Sequence, residues 1–134
     1  MTVFRLAEAA TLLGVSTDTL RRWAEAGRIE TTRHPSGRQG VEGRVLAAAA
    51  QAAAEPTDPG VAAKASARNR LRGIVTKVTR DTVMAQVEMQ AGPFRIVSLM
   101  SREAADELGL EPGVLAVAAV KSTNVVVEIP EARA

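Results

Sequence analysis

Residues 66–73, SARNRLRG, sit where an alanine-rich stretch gives way to segments dense in Val and Ile. If a strand begins here, Arg68, Arg70 and Arg72 share one face, because strand side chains alternate with period two. Downstream, strands are expected at about 71–79, 83–90, 94–100, 114–121 and 125–129, with SREAADELGL (101–110) between the third and fourth. That insert reads as a short helix: Ser101 is its N-cap, Glu103 sits in its first turn and Gly109 closes it. Five strands with a helix after the third is the element order of an OB-like barrel. The last two strands, VLAVAAVK and VVVEI, are apolar at consecutive positions and so need cover on both sides. A neighbouring subunit is the expected cover, since an open apolar edge aggregates.

Upstream the texture is helical. In FRLAEAATLLGVSTDTLRRWAEAG (4–27), Leu6, Ala9, Ala10 and Leu13 follow helical spacing, and Gly14 supplies a left-handed stop. Ser16 caps a second helix with Asp18 in its first turn, Val15, Leu20 and Trp23 pointing inward and Gly27 closing it. The pair makes a helix-turn-helix. Two short polar strands around His34-Pro35-Ser36-Gly37 follow, then an alanine-driven helix over 41–54. EPTDPG (55–60) breaks the pattern. The expected class is α+β in two domains. A winged helix-turn-helix spans 1–54, a linker 55–65 and a five-stranded OB-like barrel 66–130.

Composition narrows the function classes. The chain has 134 residues, no Cys, no Tyr, one Trp, two Phe and one His. Disulfides and thiolate metal sites are excluded, and an intracellular, cytoplasmic setting is expected. No metal site is expected, because lone His34 has no matching ligands. No apolar run is long enough to span a bilayer, so no membrane partner is expected. The net charge is only +2, and the pI near 9.7 follows from the lack of groups titrating between neutral pH and lysine. Paired catalytic carboxylates, a Cys/His arrangement and a phosphate-binding glycine loop are all missing, so an enzyme is not expected. No cofactor is expected either.

The outward residues of the second helix include Thr17, Thr19, Arg21 and Arg22. Arginine can bind guanine bidentately, and threonine can meet a phosphate or a thymine methyl. Arg33, His34 and Arg38 sit on the hairpin, where a wing meets phosphates or the minor groove. Asp18 is read as a helix-start residue. The competing reading is a solvated arginine face. In the second half, Ser66, Ala67, Arg68, Ser101, Lys121 and Ser122 offer hydroxyls, backbone N–H groups and cations. Such an all-donor set suits a small oxyanion. Here the alternative is a linker ordered by Ser66 and Arg68, with Lys121 a surface charge. Single-strand binders need stacking aromatics, and Phe94 is the only one after residue 65.

Two resemblances weigh on these choices. LAEAATLLGVSTDTLRRWAEAGRI with TTRHPSGRQGVEGRVLA, within about residues 3–50, resembles the helix-turn-helix of excisionase-like and MerR-like regulators, which implies double-stranded DNA as partner. SARNRLRG, SREAADELGL and VKSTNVVVE, within residues 65–130, are similar to the molbindin or Mop-like (TOBE) domain of molybdate-responsive regulators, storage proteins and transporter ATPases. That resemblance implies a homo-oligomer, at least a dimer and up to a hexamer, with molybdate or tungstate held between subunits. Ser66, the Ala67 backbone, Arg68, Ser101 and Lys121 would be the ligands, with Ser122 beside them. The expected protein is a molybdate-sensing, DNA-binding transcriptional regulator. Alternatives are a molybdate storage protein with a helical docking head, or an excisionase-like DNA-binding protein whose barrel only oligomerises.

Overall fold

The structure is a computed structural model that describes residues 2–54 and 65–131. The linker expected over 55–65 lies, but for Ala65, outside the described residues. Chain contacts divide the molecule into two compact units, Met1–Pro56 and Thr57–Ala134.

In the first unit, strand β1 (Val3–Arg5) leads into helix α1 (Leu6–Leu13), followed by α2 (Thr17–Glu25). Leu6, Ala9 and Ala10 turn the same face of α1 into a core shared with Leu20, Ile29, Val41 and Leu46. Leu13, Val15 and Trp23 are half-buried against it. Gly14, at φ 72°, ends α1. Its N–H bonds Thr11 O at 3.2 Å and the Val15 N–H bonds Ala10 O at 3.0 Å, a Schellman pair. Ser16 then caps α2, accepting from the Thr19 N–H at 3.1 Å. Strands β2 (Thr32–Arg33) and β3 (Gln39–Glu42) form the expected hairpin, and α3 (Gly43–Ala53) follows. Val41 and Glu42, expected in that helix, belong to β3. The extra strand β1 pairs antiparallel with β3, Phe4 opposite Val41.

The second unit is built on β4 (Asn69–Arg80), β5 (Met84–Ala91), β6 (Phe94–Ser101) and β7 (Leu115–Val120), with α4 (Arg102–Glu107) after β6. The antiparallel order is β6-β5-β4-β7. Twelve-residue β4 serves two neighbours: residues 69–74 pair with β7, and 74–80 pair with β5. A register shift between Val75 and Lys77 bends it, as a bulge does. Gly73 allows the close approach at this bend. An added Cβ would meet the Gln90 carbonyl oxygen and lie 2.8 Å from its carbon. Val75, Val87 and Leu110 form the small core on the concave side, with Val78, Met100, Val114 and Ala116 against it. Arg80 ties α4 to the sheet through Asp106 Oδ1 at 3.1 Å and Leu110 O at 2.9 Å.

The expected fifth strand is corrected. Residues 125–129 form no strand, so the described residues give a four-stranded open sheet in place of a five-stranded barrel. After Val120 the chain turns through a 3₁₀ helix (Ser122–Asn124), and VVVEI leaves without sheet pairing. Val126, Val127 and Ile129 are 81%, 86% and 91% exposed. The physical reason is the one that made this segment unusual in sequence. An element apolar at consecutive positions needs cover on both sides, and the four strands of its own chain provide none. Between β6 and β7 an apolar groove of about 430 Å³ remains, lined by Val87, Met89, Ile96, Met100, Leu110 and Val114 among others.

Candidate functional site

The register of β4 and β7 brings two distant segments together. Asn69 stands opposite Val120 and donates its side-chain Nδ2–H to Val120 O at 3.1 Å. Ser66-Ala67-Arg68 therefore enters the sheet at the end where Lys121-Ser122 leaves it. Ser66, Arg68, Lys121 and Ser122 are exposed and Ala67 is half-buried. Neither Arg68 nor Lys121 forms an ion pair among the described residues. Hydroxyls and cations without acid partners leave a locus rich in donors and positive potential, the surroundings an oxyanion requires. Asn69 was not singled out by sequence reasoning. Its place inside the SARN run was the available signal, and its amide is the tie that holds both segments at one ladder end.

Ser101 is elsewhere. It caps α4, its Oγ accepting from the Ala104 N–H at 3.1 Å, and stands opposite Met84. Met84 adjoins Ala85, which pairs with Arg80 at the opposite end of β4 from Asn69. At a rise of about 3.3 Å per residue, the two ends are roughly 36 Å apart along the strand. Within one chain, then, the six oxyanion candidates fall into two groups: Ser66, Ala67, Arg68, Lys121 and Ser122 together, and Ser101 apart.

The turn between β4 and β5 is fixed by Asp81, whose Oδ1 accepts from the N–H groups of Val83 at 2.8 Å and Met84 at 2.7 Å. These two bonds, the Met84 one foremost, hold the Asp81 carboxyl below its ordinary value, and Arg102 adds to the effect.

On α2 the DNA candidates are not equivalent. Arg21 Nη1 reaches Asp18 Oδ1 at 3.3 Å. The Thr19 hydroxyl accepts from Ser16 Oγ at 2.8 Å and from Arg22 Nη2 at 3.3 Å, so it positions the cap and Arg22. Thr17 opens the helix, half-buried. Around the hairpin tip Arg33 and Arg38 are exposed. Between them His34 Nδ1 accepts from the Ser36 N–H at 3.0 Å. Gly37, at φ 88°, closes the turn.

A TOBE domain model matches residues 65–127, and a model of the MerR family of regulatory proteins matches residues 5–39. Molybdenum-pterin-binding protein 2 of Clostridium pasteurianum is 40% identical over 63 residues, covering 46% of this chain and 93% of that protein. The chain belongs to the TOBE-domain family. The TOBE half also matches molybdenum-pterin-binding protein MopA of Rhodobacter capsulatus, 38% identical over 74 residues, 54% of this chain and 27% of that protein. Among solved structures, a molybdate binding protein from Sporomusa ovata aligns at 32% identity with a TM-score of 0.48, covering 49% of this chain and 98% of that one. The cytoplasmic molybdate-binding protein ModG aligns at 37% identity and TM-score 0.49, covering 55% and 52%. No helix among the described residues is long and apolar enough to cross a membrane.

Proposed function

We propose that this chain is a cytoplasmic molybdate- or tungstate-binding transcriptional regulator: residues 1–54 form a winged helix-turn-helix for double-stranded DNA, and residues 66–130 an oxyanion-sensing, oligomerising domain. The observation that carries the oxyanion reading is the β4–β7 register, which gathers Ser66, Ala67, Arg68, Lys121 and Ser122 at one strand end. Its separation from Ser101 favours a site completed by a second copy, whose Ser101 faces the first copy's SARN and Lys121. The open groove and the uncovered Val125–Ile129 support the same assembly. A strand from a neighbour closes what one chain leaves as a four-stranded sheet and removes two exposed edges.

Donors set the selectivity. Molybdate is a dianion without a proton at neutral pH, so hydroxyl, guanidinium, ammonium and backbone N–H groups all find an acceptor. Phosphate carries a proton that needs an acceptor, and an all-donor site strands it. Sulfate is excluded only by size, and tungstate, nearly as large as molybdate, binds comparably. DNA binding rests on the MerR-like match over residues 5–39 and on the exposed Arg21, Arg22, Arg33 and Arg38. Regulation then follows by linkage: oxyanion bound between copies favours one arrangement of them and with it one spacing of the DNA-binding heads. Thermal-shift titration with the four anions tests the ligand. The expected order is molybdate and tungstate far above sulfate, with phosphate last. Equal shifts for all four would reject the site.

A further inference from the structure

Asp18 is left without a role by the function proposed above. It lies on the outward face of α2 in the stripe Asp18, Arg21, Arg22, Glu25, spaced i, i+3, i+4, i+7 so that all four share one side. With Ser16 they line one shallow depression. Two acids and two arginines cancel, so this stripe offers phosphates no net attraction, the term that drives indiscriminate binding. The Asp18–Arg21 pair is 88% and 54% exposed at its side chains, and an ion pair so wet adds little to stability. It sets the Arg21 guanidinium beside the Asp18 carboxylate, whose second oxygen has no partner among the described residues and is free to accept.

A C·G base pair presents the complementary pattern in the major groove: guanine O6 and N7 accept, and cytosine N4 donates. We propose that Asp18 and Arg21 read one C·G pair as a unit, Arg21 donating to guanine O6 and N7 while Asp18 steers it and accepts from cytosine N4. This rests on the DNA-binding reading of residues 1–54. Asp18 is then a specificity residue: it repels phosphate everywhere and is compensated only where a base amino group meets it. Thr19 does the parallel job for Arg22 without a charge, since its hydroxyl accepts from Nη2.

The test uses the full-length, assembled protein with molybdate present, selecting from a random-sequence duplex library. Binding to the selected duplex and to random-sequence duplex is then compared at one salt concentration. Asp18→Asn leaves the Ser16 cap and its Thr19 N–H bond in place and removes only a first-turn charge, so the protein should stay folded with a melting temperature lowered by a few degrees at most. It should bind random-sequence duplex more tightly, lower the ratio of selected to random affinity by roughly tenfold, and lose preference at one C·G pair. Arg21→Lys, which keeps the charge and loses the fork, should lose preference at that same pair. If both variants keep every base preference, or lose preference at different pairs, the unit is refuted while DNA binding stands. A parent protein that enriches no sequence removes both proposals.

Discussion

Replacing Lys121 by alanine removes a cation that has no acid partner among the described residues, so the change leaves no buried charge behind and should not unfold the domain. Lys121 is exposed at the end of β7, outside the Val75, Val87 and Leu110 core. The loss therefore falls on the ligand. A hydrogen bond to a charged group contributes about 1.5–3 kcal/mol. At ~1.4 kcal/mol per decade, molybdate affinity should fall roughly 10- to 150-fold. Arg68→Ala should lose a similar amount. The two losses should not add, because both side chains contact one ion. Arg70→Ala is the control: Arg70 pairs with Ala119, one rung into the sheet from the Asn69–Val120 end where the assigned ligands gather, and should leave affinity near that of the parent. Isothermal calorimetry against molybdate reads all three, with circular dichroism to verify folding. Unchanged affinity in Lys121→Ala, or a loss in Arg70→Ala as large as in Arg68→Ala, would refute the assignment.

Three further outcomes are expected. Gly73→Ala forces a Cβ against the Gln90 carbonyl and should cost about 1–3 kcal/mol in urea unfolding; an unchanged midpoint would mean β4 bends elsewhere. Val127→Lys places a charge on the uncovered C-terminal segment and should lower the oligomeric state in analytical ultracentrifugation without changing the fold, whereas an unchanged sedimentation profile would show that this segment is not the contact. Asp81 has a folded pKa held below 3.8 by its backbone bonds, so its contribution to stability is full above that value and is lost as pH falls through the lower folded one. Asp81→Asn should thus be less stable than the parent at neutral pH, with the gap closing below about pH 4; a gap independent of pH would contradict this.

The helical half was legible because its signals are local. Leu6, Ala9, Ala10 and Leu13 repeat within eight residues, Gly14 stops the helix and Ser16 starts the next, and each works within four residues of chain. Strand β1 escaped because three residues carry no period, and its partner β3 lies more than thirty residues on. β4 begins two residues before its expected start for the same reason: Asn69 and Arg70 are strand residues only because Val120 and Ala119 lie opposite. Residues 125–129 show the converse error. Four β-branched residues in five state a preference for extension, but a strand exists only where another strand pairs with it. The candidate site divides along the same line. The donor chemistry of Ser66, Arg68, Ser101 and Lys121 could be read from residue types, while the register that unites three of them and separates Ser101 could not.

An oxyanion site assembled from two copies can be rebuilt by mixing two chains that are each defective. Arg68→Ala and Ser101→Ala should each bind molybdate poorly as pure proteins. Unfolded together in equal amounts and refolded, about half of the dimers are mixed, and each mixed dimer carries one site with an intact Arg68 from one chain and an intact Ser101 from the other. Calorimetry should then find roughly a quarter of the sites restored to parental affinity. If the mixture binds no better than the separate variants, Ser101 does not complete a site across copies, and the shared-site account is wrong.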